Sequence, residues 1–98
     1  MSIGPCCSFY KPASIVIEDR VSIAPKVAII KNPNVDNQDS VCVIKSGAFI
    51  GAGTKIYHGI TVGENSIIGA GSVVENDIPP RCVAVGAPAK VIKHILDT

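Results

Sequence analysis

Residues 50–79 read IGAGTK-IYHGIT-VGENSI-IGAGSV-VENDIP, and their period is six. Aliphatic side chains recur at Ile44, Ile50, Ile56, Val62, Ile68 and Val74 without a miss. Glycine follows at Gly51, Gly63 and Gly69. Four places after each aliphatic residue stand Ala48, Thr54, Ile60, Ser66, Ser72 and Ile78, mostly small or β-branched. An earlier run keeps the period at Ile17, Ile23 and Ile29, with Val21 and Val27 in the same four-place relation. From Ile29 to Ile44 is 15 positions, two periods plus three, so the chain leaves the repeat between them. That segment, about 31–40 (KNPNVDNQDS), is polar and reads as an excursion loop. Loops on a repeat scaffold gather on one face, often the binding face.

A helix would show a period of 3.6 and a simple strand a period of two. Six is a multiple of two, so the aliphatic residue faces the same side of every short strand. Regularly placed glycine is costly inside a helix and suits a corner that needs an unusual backbone angle. Short strands joined by tight corners at fixed length predict an all-β chain, a parallel β-solenoid whose coils bury a continuous aliphatic ladder only by stacking.

The 98 residues make one domain. An N-terminal segment (1–14) precedes the repeats (15–78), and residues 79–98 form a closing strand and a short C-terminal helix. Asp77-Ile78-Pro79-Pro80 interrupts the ladder, because proline has no amide to donate. Pro88 is placed to open the helix. In AKVIKHIL, residues 89–96, helical spacing puts Val91, Ile92, Ile95 and Leu96 on one face and Lys90, Lys93 and His94 on another.

Nine basic against eight acidic residues leave a net charge of +1, which excludes the broad basic footprint of a nucleic-acid binder. No apolar run approaches the length of a membrane span. Met1 to Phe9 has neither the basic nor the apolar region of a signal peptide, so a cytoplasmic protein is expected. The four cysteines, Cys6, Cys7, Cys42 and Cys82, have no zinc-type spacing and read as reduced thiols, with Cys42 and Cys82 as small apolar fillers. At 47% hydrophobic and 17% charged, a chain this small favours burying surface in an oligomer.

The repeat resembles the hexapeptide-repeat acyltransferases, whose consensus is an aliphatic residue, glycine, two variable residues, a small residue and one more. Residues 67–93, IIGAGSVVENDIPPRCVAVGAPAKVIK, are similar to the closing segment of the serine, maltose, galactoside and capsular-sugar acetyltransferases. The likeness covers Ile15 to Lys93. It implies a left-handed parallel β-helix with three hexapeptides per triangular coil, although crossover sterics in ordinary sheets favour the right-handed sense. It further implies a homotrimer with the active site between two subunits, acetyl-CoA as co-substrate, and a small-molecule or sugar acceptor. Gamma-type carbonic anhydrases share the solenoid but need three zinc histidines; this chain has two, 36 positions apart, and no metal is expected.

Acetyl transfer needs a base for the acceptor's proton, a donor for the developing oxyanion, and a thioester held in position. In the resembling families the pantetheine arm meets the backbone at small corner residues, which here are Ala52 and Ala70. The same corners have a purely structural use. A basic pair that meets the nucleotide phosphates corresponds to Lys90 and Lys93, which a helix would put on one face; otherwise they are a solvated surface. Where relatives often carry Thr-Lys as coenzyme contacts, this chain has Glu75-Asn76, so Asn76 is the candidate contact and Glu75 an unfavourable neighbour for phosphate.

The family base is missing. Asn32-Pro33 stands where the sugar acetyltransferases have His-Pro, and Tyr10-Lys11 where the serine enzymes have Asp-His. Asparagine is no base at neutral pH. His58, in KIYHGIT, is the remaining catalytic candidate, although a corner histidine is ordinarily solvent-facing and inert. His94 reads as surface, and Asp36 and Asp39 are further base candidates. Acyl transfer is the primary expectation. The alternatives are a degenerate relative that keeps the trimer and coenzyme binding but lacks turnover, and a structural or interaction module. The chain also reads as a minimal or truncated version of longer relatives.

Overall fold

The computed structural model describes residues 2–10, 14–33 and 41–95. Three strands make each coil of a triangular prism. The first coil is β1 (Ser2–Ile3), β2 (Ser8–Phe9) and β3 (Ser14–Ile17); the second is β4 (Ser22–Ile23), β5 (Ala28–Ile30) and β6 (Val41–Ile44). The third is β7 (Phe49–Ile50), β8 (Lys55–Tyr57) and β9 (Thr61–Val62). The fourth is β10 (Ile67–Ile68), β11 (Val73–Val74) and a bridge from Ile78 to Val62. Strands stack in parallel as face A (β1-β4-β7-β10), face B (β2-β5-β8-β11) and face C (β3-β6-β9). Residues 2–10 therefore add two strands that pair with the second coil, a step ahead of the repeat's first obvious rung.

Register aligns the inward residues one above another. Ile3, Ile23, Ile50, Ile68 and Ala84 line face A; Phe9, Ile29, Ile56 and Val74 line face B; Ile17, Ile44, Val62 and Ile78 line face C. Ile44, Ile50, Ile56, Val62, Ile68 and Val74 are completely buried. Each such side chain contributes about 1.5–3 kcal/mol through removal from water.

The corners are built from two kinds of position. Left-handed residues form columns: Cys6, Lys26, Gly53 and Gly71 between faces A and B, and Arg20, Gly47, Asn65 and Arg81 between faces C and A. The glycines that directly follow the aliphatic residue serve a different need. Gly51 is not left-handed, and a Cβ on it would stand 2.5 Å from the Ala70 amide nitrogen in the next coil. Its bare Cα is required by the close stacking of successive coils.

The expected C-terminal helix is absent. Residues 82–94 form a hairpin of β12 (Cys82–Gly86) and β13 (Ala89–His94), with β12 parallel to β10 and β13 antiparallel to β12. Gly86, at φ 107°, and a cis Ala87-Pro88 bond make the turn, so Pro88 sits in a reversal rather than opening a helix. A helix would leave the β12 edge bare, whereas β13 satisfies it. The β-branched pair Val91-Ile92 suits that strand. Among the described residues no helix is long and apolar enough to cross a membrane.

Replacing Ile56 by Ala is expected to cost about 2–5 kcal/mol of stability, because the rigid ladder cannot close the cavity. Denaturant unfolding measures this. Cys42 and Cys82 are buried free thiols, and Cys6 is exposed. Burial first, and the Asp77 charge second, push the Cys42 thiol from 9.0 up to about 12. Between those values the unfolded chain loses this proton and the folded chain keeps it, so Cys42 makes stability fall as pH rises through that window, by at most about 1.4 kcal/mol per pH unit. A Cys42→Ala variant is expected to show a shallower alkaline loss in pH-dependent unfolding.

Candidate functional site

Two edges of the prism collect the candidate residues. The first lies between faces A and B. Ile50 pairs with Ile68, so Ala52 and Ala70 occupy equivalent places in successive coils. Both are exposed, and the Gly71 amide donates to the Ala52 carbonyl at 2.8 Å. The corner then runs into the hairpin turn, where the Gly86 amide donates to Ser72 Oγ at 3.1 Å. A Cβ on Gly69 would meet the Val85 side chain, and Val85 pairs with Lys90. Small exposed side chains thus line this edge, with the Lys90 strand beyond its end.

Lys90 and Lys93 share a face, but not for the helical reason. A spacing of three puts two residues on opposite sides of a regular strand. Val83 pairs with Lys93 and Ala84 with Val91, so Ile92 is an extra residue, a bulge. Both lysines consequently stand opposite outward residues of β12, Val83 and Val85. Lys93 also borders a groove of about 490 Å³ with Ile67, Val83, His94 and Ile95. His94 is exposed, on β13, with its Nδ1 3.3 Å from Cys82 Sγ.

The second edge lies between faces B and C, where the excursion loop departs. His58 was expected at a solvent-facing corner; it is 2% exposed. Its amide donates to the Ile30 carbonyl at 2.9 Å, and its Nδ1 accepts the Asn32 amide at 2.8 Å. Its ring lies 5.3 Å from that of Tyr10, tilted by 40°. Three coils therefore converge on one imidazole, next to the left-handed Gly59. A nitrogen that accepts a hydrogen bond carries no proton, so the neutral ring holds its proton on Nε2. Asn32 is itself buried. Asn76 follows Val74 by two residues, as His58 follows Ile56, and so occupies the next coil on this edge. The structure therefore separates Asn76 from Ala52, Ala70 and the lysines. Asp36 and Asp39 lie outside the described residues.

The grouping of Tyr10, Asn32 and His58 is what sequence reasoning missed. Aligning the inward ladder was the available signal: Phe9, Ile29 and Ile56 share a register, and the three residues follow them by one, three and two places.

The family described as bacterial transferase hexapeptide (six repeats) matches residues 42–76. The galactoside O-acetyltransferase of Escherichia coli K12 is 39% identical over 93 residues, spanning 86% of this chain and 46% of that enzyme. A solved galactoside acetyltransferase in complex with coenzyme A superposes with a TM-score of 0.81 at 33% identity, covering 97% of this chain and 55% of that one. A maltose O-acetyltransferase from Clostridium difficile 630 gives a TM-score of 0.72 at 30% identity, covering 98% of this chain and 70% of its own. The chain thus spans about half the length of the curated relatives it matches. The superposition fixes the coil sense as the left-handed parallel β-helix.

Proposed function

The chain belongs to the bacterial hexapeptide-repeat transferase family, and on that premise we propose that it transfers an acyl group, acetyl in the first instance, from coenzyme A to a hydroxyl or amine of a small molecule or sugar. The observation that carries this reading is the continuous edge from Ala52 through Ala70 to the hairpin, with Lys90 and Lys93 on one face. Exposed small side chains leave backbone groups open to the amides of a pantetheine arm. Two cations on one face suit the nucleotide phosphates. Bound there, acetyl-CoA supplies an activated thioester carbon. Asn76 lies on the other edge, where the chain departs at Asn32-Pro33 and the acceptor enters, and His58 is buried beneath that departure. We read the protein as cytoplasmic, a compartment that supplies acetyl-CoA and keeps thiols reduced.

Joining two edges calls for a neighbouring subunit. Face A displays Phe49 and Ile67, and face C displays Val16 and Val41, each 40–46% exposed. A three-fold ring needs two different patches on every subunit, because its contacts are heterologous. Two apolar stripes on two faces of a triangular prism meet that need, and we read the protein as a homotrimer. Light scattering at micromolar concentration is expected to give the mass of three chains, and Phe49→Glu to lower it; a monomer for the unaltered chain counts against the reading.

A catalytically degenerate relative is the second reading, favoured by Asn32 in the place of the family's histidine. Calorimetric titration with acetyl-CoA and CoA is the first test. Micromolar binding, weakened at least tenfold in a Lys90→Ala/Lys93→Ala double variant, is expected. No binding at millimolar concentration overturns both readings. Binding without transfer to maltose, a thiogalactoside or serine leaves the second.

A further inference from the structure

The hydrogen-bond pattern of His58 runs opposite to what a general base needs. A base must present an unprotonated nitrogen to the acceptor. Here Nδ1 is unprotonated, but it is turned inward and taken by the Asn32 amide at 2.8 Å. The ring cannot be rotated by 180° about its bond to Cβ without placing a carbon against that amide, which would then be a buried donor without an acceptor. We propose that His58 is a positioning residue, an acceptor built into the third coil that pins the root of the excursion loop at Asn32-Pro33, and that it is not the base of the reaction. The proposal rests on the acyl-transfer reading only for its kinetic consequence.

Three observations support it. The imidazole is buried at 2% exposure, so it reaches an acceptor substrate only through its neighbours. Asn32, whose amide it holds, stands at the departure of the loop from β5 and is 8% exposed. The ring packs on Tyr10 of the first coil and is anchored through its own amide to Ile30 of the second. One side chain thereby fixes the place where the ladder is interrupted, the place where parallel stacking alone cannot hold the chain.

The chemistry suggests a discriminating pair of substitutions. The side-chain oxygen of asparagine lies near the place of histidine Nδ1, so His58→Asn keeps the acceptor and removes the imidazole. His58→Leu keeps apolar bulk and removes the acceptor. In the unaltered protein, nitrogen NMR is expected to show a protonated Nε2 and a coupling across the hydrogen bond between Asn32 N and His58 Nδ1. Hydrogen exchange at the Asn32 amide is expected to remain within about threefold of the original in His58→Asn and to accelerate at least tenfold in His58→Leu. The ladder amides of Ile50 and Ile68 serve as a folding control. A proton on Nδ1 in the unaltered protein, or unchanged exchange at Asn32 in a folded His58→Leu, overturns the pin.

With whichever of maltose, a thiogalactoside or serine is turned over, His58→Asn is expected to hold kcat within about threefold. His58→Leu is expected to raise the acceptor KM at least tenfold while acetyl-CoA affinity stays unchanged. Loss of kcat in His58→Asn as deep as in His58→Leu, with Asn32 exchange preserved, overturns the positioning role and restores a base. Absence of turnover with all three acceptors bears on the acyl-transfer reading, while the NMR and exchange arms still decide the pin.

Discussion

One aliphatic side chain per hexapeptide, stacked on the same residue of the coil below, is the interaction on which the rest depends. Parallel pairing keeps the register constant, so Ile23, Ile50 and Ile68 superpose, and a change in any hexapeptide's length would break the stack. The constraint extends to the corners. Thr54 and Ser72 turn inward and donate to the Gly69 carbonyl at 3.2 and 2.7 Å, and Ser66 donates to the Pro79 carbonyl at 2.6 Å. A residue four places after a rung must therefore fit inside the corner and, where polar, satisfy itself on a carbonyl of its own or an adjacent coil.

A scaffold so fixed inside leaves variation to its edges and ends. Two corner columns are set by left-handed residues. At the third, β5 ends at Ile30 and β6 begins at Val41. A buried imidazole accepts the Asn32 backbone amide there. The last strand edge of face A is closed by β13, whose outward residues are the two lysines. The candidate residues fall at corners and at the closing hairpin because the inward positions are filled by the core.

The solenoid was legible because its cause is local and repeated. Six-residue spacing survives without any knowledge of contacts, and the polar break at 31–40 announces itself by arithmetic. The hairpin was not legible. AKVIKH satisfies a helical face as readily as a bulged strand, and the decision belonged to the open edge of β12, a feature that exists only once the coils are stacked. The lysine pair came out on one face for a reason the spacing did not contain, the extra residue Ile92. The repeated glycine was legible as a corner and misread in mechanism. Gly51 answers a close approach, while the left-handed angles fall two residues later, at Gly53 and Gly71.

His58 shows why a site is harder to read than a fold. Its residue type is rare in the chain and its position is a corner, and both facts held. What decides its chemistry is which nitrogen meets which neighbour, and that neighbour, Asn32, lies 26 positions away across the excursion. Asn32 and His58, which look separate in sequence, meet at one hydrogen bond. Imidazole is therefore present at this edge but in an orientation that serves the backbone. A corner residue becomes a base only when its free nitrogen faces the substrate, and that orientation is a property of the stack rather than of the residue.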